Sequence, residues 1–183
     1  MHTDLERIIL SEEQIVAKAK EAAAWLDAKF TDAEVPPIAI CVLKGSVFFF
    51  CDVTRAMQTP VHLDFMRVSS YGNSSKSSGM PQIIMDLSAS VHDRDVVLIE
   101  DIVDSGYTLA KMRDLMIGRG AKSFTVVTLL NKPSRRKLPV KADFSCFEVA
   151  DEFVVGYGLD YAEQYRNLPY IGVLKREIYE NKD

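Results

Sequence analysis

Apolar positions along the chain follow two periods. Ile15, Ala19, Ala22, Leu26 and Phe30 recur at helical spacing behind Ser11 and Gln14, a pairing that reads as a capping box. A helix is therefore predicted from Ser11 to about Lys29, broken by Pro36 and Pro37. Residues 38–43 form a continuous apolar run, a buried strand, and Lys44-Gly45-Ser46 turns it into a second helix over 47–57. Residues 61–68 alternate as a strand with Leu63 and Phe65 on one face, and 83–87 reads as the returning arm of a hairpin. Residues 96–99 are β-branched or aliphatic throughout, as in a strand covered on both faces. A helix over 108–117 follows, with Leu109, Met112 and Met116 on its buried stripe and Gly118 and Gly120 to end it. Then come a buried strand at 124–130 and shorter strands at 140–147, 153–157 and 170–173. Strands alternate with helices through the middle of the chain, which predicts an α/β protein around a mostly parallel sheet. The first helix and the last short strands are left as a small appendage.

Composition narrows the class. A chain of 183 residues, 48% hydrophobic and 26% charged, is expected to be one soluble globular domain. A net charge of −4 with both signs dispersed argues against general nucleic-acid binding. The N-terminus carries acids and lacks a long apolar core, so no signal peptide is predicted, and the apolar patch at 47–51 is too short to span a bilayer. A cytoplasmic location is the expectation. Cys41, Cys51 and Cys146 are far apart and odd in number, which argues against a disulfide framework and suggests three small buried hydrophobes. His2, His62 and His92 lack metal-ligand spacing, so any metal should be held by oxygen. Residues 69–81 hold six serines and two glycines around Tyr71, a loop that cannot pack a core and that is expected to serve a ligand.

Chemistry concentrates at 96–108, VVLIEDIVDSGYT. A strand runs into the acids Glu100 and Asp101, then the small polar turn of Asp104, Ser105, Gly106 and Thr108, then a helix. In open α/β sheets ligands sit at the carboxyl ends of strands, and a helix start offers free N–H groups to an anion. Three other predicted strands end comparably, in Lys44-Gly45, in Lys132 and in Asp160. Parallel strands would bring these ends to one edge, giving cations, carboxylates and a small-residue turn suited to a phosphorylated, metal-bound substrate. Each feature alone has an ordinary reading: a plain turn at Lys44-Gly45, a solvated basic loop at 132–137, a core Phe153, a surface Asp160–Arg166 pair. A P-loop ATPase is excluded because no GxxxxGK[ST] occurs.

The motif VVLIEDIVDSGYT resembles the phosphoribosyl-diphosphate motif of type I phosphoribosyltransferases. LKGS at 43–46, SSYG at 69–72, LLNK at 129–132 and FVVGYGLDYAEQYRNLP at 153–169 occur in the order found in the hypoxanthine–guanine branch, so the resemblance covers about 43–169. It implies a central, mostly parallel twisted sheet flanked by helices, in one domain over 1–183. The core would span about 36–150, the hood would come from the N-terminal helix and about 151–183, and a flexible loop at about 69–81 would cover the site. It implies that Asp104 to Thr108, with the Ser105 and Thr108 hydroxyls and the Gly106 backbone, wraps the ribose 5-phosphate. Glu100 and Asp101 would hold the ribose hydroxyls directly or through Mg²⁺, and Asp160 a second Mg²⁺. Lys44, Gly45 and Arg166 would grip the diphosphate, with a Lys44–Gly45 peptide often cis when ligand is bound. Ser70 and Tyr71 would close over it. Lys132 would donate to the 6-oxo group, Phe153 would stack on the purine, and the carbonyls of Val154 and Asp160 would accept from its ring and from any exocyclic amine. Asp104 would be the proton acceptor in catalysis. The implied reaction transfers phosphoribose to hypoxanthine or guanine, giving IMP or GMP and diphosphate. Relatives form dimers or tetramers, and the apolar helix with Phe48 to Phe50 is a candidate interface. Two competitors are a nucleic-acid-binding regulator of this fold, disfavoured by charge and by the short N-terminal segment, and an enzyme for another base. Lys132 and Phe153 disfavour adenine and uracil but not xanthine.

Overall fold

The computed structural model describes residues 2–69 and 82–180. Ser70 and Tyr71, with most of the predicted loop, lie outside the described residues. The main sheet has six strands: β2 (Ile38–Leu43), β3 (His62–Ser69), β4 (Gln82–Met85), β5 (Asp95–Val103), β6 (Ser123–Asn131) and β7 (Phe144–Glu148). Their order is β4-β3-β2-β5-β6-β7, and every neighbouring pair is parallel except the β3–β4 hairpin at one edge. A second sheet of three antiparallel strands joins the two ends of the chain, β1 (Leu5–Leu10) pairing with β9 (Ile171–Leu174) and β9 with β8 (Val154–Val155).

The central strands are continuously apolar because helices cover both faces. Helix α1 (Glu12–Lys29) begins in the predicted box, with the Gln14 N–H donating to Ser11 Oγ and the Ser11 N–H to Gln14 Oε1 at 2.8 Å. With α2 (Val47–Ala56) it packs on the face carrying Ala39, Cys41, Val97, Ile99, Val127 and Leu129. Helix α3 (Tyr107–Gly118) lays Leu109, Met112 and Met116 on the opposite face, against Ile40, Leu98 and Val126. Adjacent residues of one strand thus enter different cores, as the period of two demands.

Several expectations are corrected. The α1 helix, assigned to the hood, lies on the main sheet, and the N-terminal contribution to the small sheet is β1, whose apolar residues, Leu5, Ile8, Ile9 and Leu10, do not alternate as those of an isolated strand would. On β3, Leu63 and Phe65 share one face as expected, and it is the outward one, at 52% and 37% exposure, while Asp64 and Met66 are buried on the other. The Asp64 carboxylate is tolerated inside because it accepts from the backbone N–H groups of Phe65, Ser88 and Ala89. Cys41 and Cys146 are buried as expected, but Cys51 is exposed on the outer side of α2.

Candidate active site

Because β2, β5 and β6 are parallel, their carboxyl ends meet at one edge of the sheet. Strand β5 runs four residues further than the apolar pattern indicates, since its ladder with β6 continues through Glu100↔Thr128 and Ile102↔Leu130. Glu100 and Asp101 are therefore held rigidly in a strand rather than in a loop, with Glu100 only 7% exposed. Burial first, then the neighbouring Asp101 carboxylate, hold Glu100 well above the usual glutamate value. Burial likewise lifts Asp101 to about 6 from 3.8, against the Ile102 N–H, the Glu100 side chain and the Arg166 charge, which pull it down.

Beyond β5, Asp104 is exposed and its carboxylate accepts from the Ser105 hydroxyl at 3.2 Å. Gly106 caps α3 with φ +88°, a conformation that favours glycine, and with Thr108 in the first turn of the helix it borders the cleft. A cleft of about 310 Å³ lies above this edge. Its floor is Glu100 and Asp101, one wall is Asp104, Gly106 and Thr108, and the other is Lys44, Gly45, Asp160 and Arg166. The opposing wall is an ion-pair cluster. Arg166 meets Asp160 at 2.8 Å and Glu163 at 3.4 Å, and Lys44 meets Glu163 at 2.8 Å. Arg166 also donates to the Gly158 carbonyl at 2.7 Å. The cis peptide here is Leu43–Lys44, one bond before the Lys44–Gly45 bond expected from sequence.

A second pocket, about 340 Å³, adjoins the first through Ile102, Leu159 and Asp160. Lys132, Phe153 and Val154 line it together. Lys132 is 5% exposed, its ammonium donating to the Glu152 carbonyl at 2.8 Å, and burial holds its pKa below the ordinary lysine value. The Phe153 ring is half-open, stacked on Tyr179 at 4.9 Å and edge-on to Tyr161 at 5.6 Å. Ile102, Arg135 and Tyr179 also border this pocket and were not anticipated. Tyr179 sits in a short helix, α4 (Arg176–Tyr179), far along the chain, and no local pattern announces it.

Among the described residues no three carboxylate, histidine or cysteine side chains come together to hold a metal alone. Glu100 and Asp101 sit at the cleft floor, whereas Asp160 is turned to Arg166, so the three do not form one cluster. A buried acid pair with raised proton affinity does fit a hard cation completed by substrate oxygens. The same pair gives a pH test. Both groups bind protons more tightly folded than unfolded, so the folded state holds protons the unfolded chain releases above about pH 4, and stability falls as pH rises through about 6. Metal-free protein should therefore lose melting temperature as pH rises from about 4 through about 6, and Glu100→Gln should flatten that slope. Calorimetric scans across the range decide it; an unchanged slope in the variant would free the pair of this role. Asp27, Asp86 and Asp95, held below their ordinary values, stabilise the fold throughout this range and lose that contribution only as pH falls below about 4.

Comparison with known proteins agrees with the geometry. The phosphoribosyl transferase domain family matches residues 7–162. The chain is 55% identical over 181 residues, 99% of both chains, to the hypoxanthine-guanine phosphoribosyltransferase of Bacillus subtilis (strain 168). It is 44% identical over 179 residues, 98% of both, to that of Streptococcus thermophilus (strain CNRZ 1066). Among solved structures, a hypoxanthine phosphoribosyltransferase from Staphylococcus aureus superposes with a TM-score of 0.92 at 45% identity, covering 99% of this chain and 97% of that one. With similarity over nearly its full length to enzymes of this kind, the chain belongs to the hypoxanthine-guanine phosphoribosyltransferase family.

Proposed function

We propose that this protein is a purine-salvage enzyme that moves the 5-phosphoribosyl group of phosphoribosyl diphosphate onto hypoxanthine or guanine, releasing diphosphate. The observation that carries the reading is the pair of adjoining pockets: one lined by acids, cations and a helix-start turn, the other by a buried donor and an aromatic ring. Their shared wall of Ile102, Leu159 and Asp160 is where the ribose would lie, with its anomeric carbon between diphosphate and base.

The turn Asp104 to Thr108 binds the 5-phosphate through backbone N–H groups at the start of α3. Lys44, the Gly45 backbone and Arg166 receive the diphosphate, which displaces Glu163 as their counter-charge. Glu100 and Asp101 accept from the ribose hydroxyls. Mg²⁺, when bound, shields the diphosphate and improves it as a leaving group; Glu100 and Asp101 would hold one ion and Asp160 another, with substrate oxygens completing each shell. In the base pocket Lys132 donates to the 6-oxo group, Phe153 stacks on the purine, and the Val154 and Asp160 carbonyls accept its ring N–H groups. A lysine has only donors, so adenine would set its amino group, also a donor, against the buried ammonium where the 6-oxo group would accept, a mismatch that discriminates strongly. Asp104 takes the proton that the ring nitrogen sheds as it attacks the anomeric carbon. Ser70 and Tyr71 are read as closing over the diphosphate.

No helix among the described residues is long and apolar enough to cross a membrane. We place the enzyme in the cytoplasm as a homodimer or homotetramer without nucleic-acid partners. Phe48, Leu63 and Phe65, exposed at 42%, 52% and 37%, supply an apolar surface for the contact. Purified protein should release diphosphate from phosphoribosyl diphosphate when hypoxanthine is added and stop when EDTA is added. Guanine and xanthine in the same assay rank the 6-oxopurines, and adenine should give no product. Failure to turn over any 6-oxopurine would remove the enzyme reading.

A further inference from the structure

Arg136 belongs to the basic stretch that sequence reads as solvated surface, yet its side chain lies behind the phosphate turn. Nε donates to the Asp104 carbonyl at 2.7 Å. Nη2 donates to the Val103 carbonyl at 3.0 Å and to Asn131 Oδ1 at 2.6 Å, and Nη1 donates to the Val140 carbonyl. One guanidinium thus joins the end of β5, the end of β6 and the loop between β6 and β7. The backbone extends the pattern, since the N–H groups of Lys137 and Leu138 both donate to the Ser105 carbonyl, at 3.0 and 3.2 Å. Carbonyls of three consecutive residues, Val103, Asp104 and Ser105, are therefore turned toward the 136–138 segment. A turn that binds an anion must aim its N–H groups at the ligand and send its carbonyl oxygens elsewhere. This segment is where they go. Gly106 is seated under it as well: a Cβ there would stand 2.6 Å from Val140 Cγ2 and 3.1 Å from Arg136 Cδ. These four side-chain bonds all go to neutral oxygens, so the guanidinium charge remains to favour an anion in front of the turn.

We propose that Arg136 is the positioning residue of the phosphate turn. It draws the turn's carbonyls away from the cleft and fixes the turn against Asn131, the residue before Lys132 of the base pocket. The proposal rests on the reading that this turn binds the 5-phosphate. A planar fork is needed because the acceptors are spread over several directions, which a single ammonium cannot span.

The test compares the affinities of IMP and inosine, which share base and ribose and differ in the phosphate. Calorimetry on wild-type protein, Arg136→Met and Arg136→Lys gives the IMP-to-inosine ratio for each. The ratio should fall by about tenfold or more in Arg136→Met and by less in Arg136→Lys, with inosine affinity nearly constant. The KM for phosphoribosyl diphosphate should rise in parallel while the KM for hypoxanthine holds. An unchanged ratio, or equal losses for IMP and inosine, overturns the proposal, because a general structural defect would weaken both ligands alike. Wild-type protein that binds IMP no better than inosine would instead remove the phosphate-turn reading, and the proposal with it. Should Arg136→Met fail to fold, the comparison is decided on Arg136→Lys, which keeps the charge and most of the stem.

Discussion

Asp104→Asn is expected to lower kcat by on the order of 10²-fold or more while leaving the affinity for IMP nearly unchanged. The substitution is well placed to separate chemistry from structure. Asp104 is exposed beyond the end of β5, and its contacts with the fold are ones an asparagine can keep. The side-chain oxygen accepts from the Ser105 N–H and hydroxyl, and the backbone carbonyl accepts from Arg136. An amide oxygen of the same size can occupy the same position. What is lost is basicity: an amide cannot take the proton released by the purine ring. Steady-state kinetics beside IMP titrations measure both effects, and a kcat within twofold of wild type would remove Asp104 from the proton transfer. A matched fall in IMP affinity would point to a disturbed turn instead.

Gly45→Ala is the second large effect. The position is not left-handed, so backbone freedom is not the reason for glycine; space is. A Cβ on residue 45 would stand 1.7 Å from Asp101 Oδ2 and 2.8 Å from its Cγ. The other side is closed too, since Gly158 itself lies so near that a Cβ there would stand 1.9 Å from the Gly45 carbonyl oxygen. Neither neighbour is the loose end of an exposed side chain. Asp101 is fixed in β5, with its carboxylate accepting from the Ile102 N–H at 2.7 Å. Alanine must therefore displace the acid floor or the end of β2 by a sizeable fraction of an ångström. Overpacking of this kind costs about 1–3 kcal/mol of stability. Misplacement near 1 Å at a reacting centre can cost about 10²-fold in rate. We expect kcat/KM for phosphoribosyl diphosphate to fall by about that factor, with a lowered melting temperature. Activity within threefold of wild type would show that the floor yields without consequence.

The strength of the central motif in the sequence has a physical origin. Residues 96–108 place strand, acids, turn and helix start consecutively, so local order alone assembles the half of the site proposed to hold phosphate. The pocket proposed to hold the base is different in kind. Lys132 follows β6, Phe153 precedes β8, and Tyr179 comes from α4, so only the sheet order brings them together. Lys132 and Phe153 were legible through family resemblance and not through periodicity, whereas Tyr179 had neither. Arg136 shows the opposite error. Flanked by Arg135 and Lys137, it has the local signature of solvated surface, and only the approach of three separate segments turns it inward.

The chain's own pattern determined the α/β alternation, the capped first helix, the continuous apolar strands and the acid-turn-helix run at 96–108. These depend on neighbours within a few residues, through hydrogen-bond geometry and the two hydrophobic periods. Tertiary structure decided the rest. It chose which face of β3 is buried, putting Asp64 inside because backbone N–H groups from 88–89 were there to receive it. It carried β5 through Glu100 and Asp101, because a β6 ladder continued alongside. It raised the proton affinity of that pair, since burial is a property of the packed chain. It also brought β1 to β9 across nearly the whole sequence, a pairing whose closure no local propensity can encode.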